Sequence, residues 1–145
     1  MYHTILVPID LNEKGFSDKA IEAALWHVKH SQAKLHLLNV MPGVHMSMVA
    51  SYFPQDAMQR MKQDSQAQLN AFANKYIPKD VSYQLHVDEG RPYTTILDYA
   101  KKIQADLIIM PSHKQSKMDK VILGSVASKV VEHSPISVLV IKPQG

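Results

Sequence analysis

Three groups of residues in this chain could do chemistry together. Asp10 follows the apolar run Thr4-Ile5-Leu6-Val7 and the pair Pro8-Ile9. A carboxylate there can accept hydrogen bonds from sugar hydroxyls. A second apolar run, Leu107-Ile108-Ile109-Met110, breaks at Pro111 and is followed by Ser112-His113-Lys114. Hydroxyl, imidazole and ammonium groups all suit an anion. Further on, Gly124-Ser125 opens the helical pattern Val126, Ala127, Val130, Val131. Ser125 is predicted to be the N-cap. A helix start offers free N–H groups and the positive end of the macrodipole, which favours a phosphate. Val40 and Met41, at the end of another apolar run, add a slot for a flat purine. The sum describes an adenine nucleotide site.

Each residue also has an ordinary role. An Asp after a strand commonly caps a loop. A loop histidine is usually solvated, and Lys114 reads equally as an exposed charge. The methionines between 41 and 61 read as core filler or loop anchors. Neither a Walker A sequence nor a GxGxxG is present. His27 and His30 are three apart, but no third ligand accompanies them, so no metal site is predicted.

The elements that must position these groups follow in order. Thr4 to Val7 reads as a central strand ended by Pro8. Ser17 is placed to cap a helix with Ala20, Ile21, Ala24, Leu25 and Val28 on one face. Ala33 to Val40 is the second strand, stopped by Met41-Pro42-Gly43. Residues 43–54 read as an irregular excursion. A long helix from about Gln55 to Tyr76 carries Met61, Ser65, Leu69, Phe72 and Tyr76 on one stripe. Val81 to Val87 alternates, as a half-exposed edge strand does, and Glu89-Gly90-Arg91 turns the chain. Pro92 opens a third helix whose buried face is Tyr93, Ile96, Leu97, Ala100 and Ile103. Asp106 to Met110 is the fourth strand, about Ser125 to His133 the fourth helix, and Ile136 to Ile141 the last strand.

Alternating strands and helices imply an α/β fold with an open parallel five-stranded sheet, helices on both faces. Right-handed crossovers prune the topologies, and the natural arrangement is the order 3-2-1-4-5. The chain then reverses direction between strands 1 and 4, and ligands bind outside the carboxyl ends at such a switch point. Asp10, Val40, Met110 to His113 and Gly124-Ser125 all fall on that rim.

Composition narrows the field. The 145 residues are the length of one domain, read as 1–145. With a net charge of +3 and no basic run, no nucleic-acid partner is expected. Cysteine is absent, which excludes thiolate chemistry and a disulfide framework. Met1-Tyr2-His3 leads straight into a strand, so no signal peptide is expected. No apolar run approaches the roughly 18 residues of a membrane span, so no membrane association and a cytoplasmic location are expected.

The opening TILVPID and the ending LGSVASKVVEHSPISVLVIKP resemble the first strand, last helix and last strand of the universal stress protein family. The chain resembles a short, single-domain bacterial member over essentially its whole length. The resemblance implies a Rossmann-like fold of the adenine nucleotide alpha-hydrolase type. It also implies an ATP-binding regulatory module of the stress response. Nucleotide-binding members carry Gly, two residues, Gly, nine residues, then Gly-Ser or Gly-Thr. Here Pro111 and Lys114 stand at the first two glycines and Gly124-Ser125 is intact. Pro111 has no N–H to give a phosphate, while Lys114 can offer a charge in place of an amide. Position by position, the resemblance puts base contacts at Ile9, Val40 and Met110 and the ribose contact at Asp10. Phosphate contacts fall at Ser112, His113, Gly124, Ser125 and Val126, with Pro8, Pro111 and Lys114 alongside. The implied ligand is ATP, or ADP or AMP, with Mg²⁺ left open. No catalytic residue is assigned. A slow ATPase and a dimeric interaction protein with a vestigial site stay open as alternatives.

The last strand, Ile136-Ser137-Val138-Leu139-Val140-Ile141, is uncharged yet falls at the sheet edge. Such an edge invites pairing. Pairing with the same strand of a second copy predicts a homodimer, and the resemblance implies the same.

Overall fold

The computed structural model describes residues 1–11, 17–42, 55–114, 121–122 and 124–142. The predicted excursion at 43–54 lies outside them. For His113 and Lys114 only the backbone is described.

The elements are β1 (Thr4–Pro8), α1 (Ser17–Ser31), β2 (Lys34–Pro42), α2 (Gln55–Tyr76), β3 (Tyr83–Gly90), α3 (Pro92–Lys102), β4 (Leu107–Pro111), β5 (His113–Lys114), β6 (Val121–Ile122), α4 (Ser125–His133) and β7 (Ser137–Ile141). Five strands form one sheet in the order β3-β2-β1-β4-β7, and every pairing is parallel. The predicted order holds, with β7 as its fifth strand. β1 and β4 lie side by side, Ile5 opposite Leu107 and Leu6 opposite Ile108.

The sheet divides the core in two. Ile5, Val7, Leu35, Leu37 and Ile109 pack with Ala20, Ile21 and Ala24 of α1 and Leu69 and Ala73 of α2. Leu6, Leu38, Ile108 and Met110 pack with Ile96 and Ala100 of α3 and Ala127 and Val130 of α4. Central strands buried on both faces need continuous apolar runs, and β1 and β4 have them. On α2 the buried residues are Leu69 and Ala73, with Phe72 and Tyr76 half-buried and Met61 exposed. The predicted stripe is therefore turned by part of a helical turn. On α4, Val131 is 45% exposed, so the buried pair is Ala127 and Val130. Trp26 lies on the outer face of α1, 56% exposed, its indole stacked on His30 at 4.2 Å.

Other boundaries depart from the sequence reading. β2 runs on through Met41 and Pro42, and β3 through Gly90, because the two strands pair in register as far as Pro42 opposite Gly90. Ser112-His113-Lys114 is not a simple loop: His113 and Lys114 pair antiparallel with Ile122 and Val121. Asp106 clamps the amino end of β1, where its carboxylate accepts from the N–H groups of His3 at 2.8 Å and Thr4 at 3.0 Å. No described helix is long and apolar enough to cross a membrane.

Candidate functional site

β1 pairs with β2 as far as Pro8, opposite Leu38. The chain continues as Ile9 and Asp10. Ile9 is 3% exposed, and its N–H donates to the Leu38 carbonyl at 2.8 Å. Asp10, the next residue, is exposed. On the neighbouring strand, β4 ends at Met110 and Pro111, both buried. Between these ends, at the topological switch point, opens a cleft of about 390 Å³. That lies within the range of roughly 300–1,000 Å³ usual for small-molecule sites.

Seven of the predicted site residues line it: Pro8, Ile9, Asp10, Val40, Met110, Pro111 and Val126. Met41, buried, adds to the wall beside Val40. The wall near β1 and β2 is apolar, as a purine face requires.

α4 brings its amino end to the opposite wall through Val126 and Ala127. Here the capping residue is Gly124, not Ser125, which is the first helical residue. Gly124 has φ 83° and ψ 154°, a conformation that a side chain disfavours. Among the described residues no side chain caps this helix. Its first-turn N–H groups have no side-chain acceptor among them, and the positive end of the dipole suits an anion. Ser125 is exposed and Gly124 half-buried, so both stand at the rim and neither lines the cleft.

Ser112 is placed elsewhere. It is fully buried, its N–H donating to the Ile141 carbonyl at 2.9 Å and its hydroxyl to the same oxygen at 3.4 Å. That position ties the ends of β4 and β7 together and is not among the residues lining the cleft. Ser17 does not show the predicted cap either. It is already helical, and its buried hydroxyl has no hydrogen-bond partner among the described residues.

The cleft also draws on residues the sequence reading did not assign to the site. Gln68 joins Met61 and Ser65 from α2, and Pro92 and Ile96 come from α3. Met61 and Ser65 belong to the stripe predicted on this helix, and Gln68, three residues beyond Ser65, falls on the same face. Asn39 of β2 is 8% exposed, and its carboxamide donates to the Ile9 carbonyl at 2.9 Å. A polar residue inside LHLLNV was its only trace.

A larger concavity, of about 850 Å³, opens at the amino ends of β2 and β3, beside Lys29, Lys34 and Asp80. It faces the carboxyl end of α1, the negative end of that helix dipole, and suits an anion less well. On the α3 side of the same two strands His36 and His86 meet edge to edge, Nδ1 to Nε2 at 3.2 Å, with Tyr99 of α3 4.5 Å from the His86 ring. Burial holds both imidazoles below their ordinary pKa, with Lys34 adding to the effect on His36 and His36 and Lys102 to that on His86. Among the described residues no group of three or more histidines or acids could hold a metal ion.

Comparison with known proteins gives the same architecture. The family model described as the universal stress protein family matches residues 1–142. Universal stress protein G of Salmonella typhimurium is 29% identical over 145 residues, covering 98% of this chain and 100% of that protein. The universal stress protein UspA from Lactobacillus plantarum superposes with a TM-score of 0.68 at 27% identity, over 97% of each chain. A universal stress protein solved in complex with cAMP superposes with a TM-score of 0.58 at 21% identity, covering 97% of this chain and 96% of that one. This chain belongs to the universal stress protein family.

Proposed function

We propose that the switch-point cleft binds an adenine nucleotide, ATP or else ADP or AMP, and that the protein acts as a regulatory module of the stress response. The observation that carries this reading is the cleft itself. Its apolar wall at Ile9, Val40 and Met110 faces the uncapped amino end of α4, with the Asp10 carboxylate beside it. The base would lie against Ile9, Val40 and Met110, and the ribose hydroxyls would reach Asp10. The phosphates would meet Gly124, Ser125 and Val126, with His113 and Lys114 alongside. A relative in complex with cAMP supports an adenine ligand. Any Mg²⁺ would ride on the phosphates and Asp10. The sequence offers no recognisable base to orient a water for hydrolysis, and binding is the proposed activity. We place the protein in the cytoplasm as a homodimer paired through β7.

Titration of ATP by calorimetry, with the Asp10→Ala variant alongside, tests the reading. Asp10→Ala should weaken binding roughly tenfold, the loss of a charge-assisted hydrogen bond, and leave the fold intact. ATP at a hundred times its dissociation constant should stabilise the wild-type protein by about 2.7 kcal/mol. No affinity at millimolar ATP would overturn the reading. It would leave an interaction protein with a vestigial site, which the Pro111 replacement and the buried Ser112 favour.

A further inference from the structure

Asn39 stands next to the proposed base site, but its side chain does something other than touch a ligand. Along β2, Leu38 turns its carbonyl towards β1, where the Ile9 N–H meets it at 2.8 Å. Backbone groups of alternate residues in a strand point the same way, so the Val40 N–H also faces β1. In a regular parallel ladder that N–H would be the next bond, donated to the Ile9 carbonyl. The ladder ends one step earlier, at Pro8 opposite Leu38. The Ile9 carbonyl is satisfied at 2.9 Å by the carboxamide of Asn39 instead. The Val40 N–H therefore has no backbone partner among the described residues, and Val40 lines the cleft. A buried carbonyl needs a donor; its oxygen could accept two, but in this geometry the carboxamide stands in place of the Val40 N–H, which makes the two donors alternatives.

We propose that Asn39 is a positioning residue: by occupying the Ile9 carbonyl, it keeps the Val40 amide out of the sheet ladder and free to donate to a ring nitrogen of the bound base. The same bond holds the Ile9-Asp10 peptide away from β2, which keeps the cleft open between them. The inference rests on the nucleotide reading for the identity of the ligand. The competition between the two donors does not depend on that reading. Without the carboxamide, the Val40 N–H closes onto the Ile9 carbonyl, the ladder gains a step, and the base loses its donor.

Amide hydrogen exchange followed by NMR, with and without ATP, tests this on the full chain. In the wild type the Val40 amide should exchange fast and become protected on adding ATP. In Asn39→Ala it should be protected before any ATP is added, and ATP affinity should fall roughly fivefold to tenfold. Asn39→Asp keeps the shape and loses the donor. It should behave as the Ala variant does, and it serves if Ala fails to fold. A Val40 amide that ATP protects, with exchange and affinity unchanged in both variants, overturns the positioning role and leaves the nucleotide reading standing. A wild type in which ATP leaves Val40 unprotected overturns the nucleotide reading. Protection of Val40 in the ligand-free variants then supports the competition between the two donors, and its absence overturns it.

Discussion

Two buried side chains of β2, three residues apart, show what a polar group does inside an apolar strand. Asn39 satisfies the Ile9 carbonyl just beyond the end of the β1–β2 ladder. His36 pairs with His86, so one of the two rings must donate to the other, and both cannot be protonated without losing that bond. The groups around them are Lys34 on β2, Asp88 on β3, and Tyr99 and Lys102 on α3. The two lysines oppose a further positive charge. Both imidazoles sit below the ordinary value of 6.5, so the unfolded chain takes up protons at a higher pH than the folded one. Stability should therefore be complete above about pH 6.5 and fall as the pH drops below it towards the depressed values. Urea midpoints measured between pH 8 and pH 5 check this. His86→Gln should flatten the profile, and a wild-type midpoint constant over that interval would remove the pair from the account. Neither role was legible in LHLLNV, because each depends on a partner 30 or 50 residues away in the chain.

Among the elements, β1 was the plainest to read and the most dependent on its neighbours. Its apolar run predicted a strand buried on both faces, and Ile5, Leu6 and Val7 are all fully buried. Its pairing with β4 spans only two residues in register. Asp106 extends that contact at the amino end, where its carboxylate accepts from His3 and Thr4 and its own N–H donates to the Thr4 carbonyl at 2.9 Å. Partial burial pushes its pKa up, but the hydrogen bonds from Thr4, His3 and its own amide outweigh it, and the carboxyl lies below its ordinary value. Asp106→Ala should cost about 1–2 kcal/mol, read from denaturant unfolding, since two backbone donors lose their acceptor. Asp106→Asn should recover part of it. By contrast, β5 and β6 are two residues each, and no periodicity exists over so short a length. The start of α4 was legible as Gly124-Ser125. Which of the two is the cap was not, because that depends on a backbone angle.

At the scale of the whole molecule, the alternation of strands and helices made the parallel sheet legible, and the right-handed crossover rule left few strand orders, of which the natural one is the order observed. The two sheet edges differ in kind. β3 carries Gln84, His86, Asp88 and Glu89, the polar dressing that discourages edge pairing. β7 carries no charge, its one polar residue being Ser137, and Leu139 is 37% exposed. We therefore expect antiparallel pairing of β7 with a second copy about a two-fold axis. Val140→Glu should convert the dimer to monomer or aggregate in sedimentation velocity, and a wild-type monomer at micromolar concentration would remove the assignment. The position of Trp26 has a practical consequence. It is the chain's single tryptophan, it lies on the outer face of α1 against His30, and it does not line the cleft at the carboxyl ends of the strands. Its fluorescence reports the charge of a surface imidazole and the solvent around it, so a quiet emission spectrum during an ATP titration is compatible with a filled cleft.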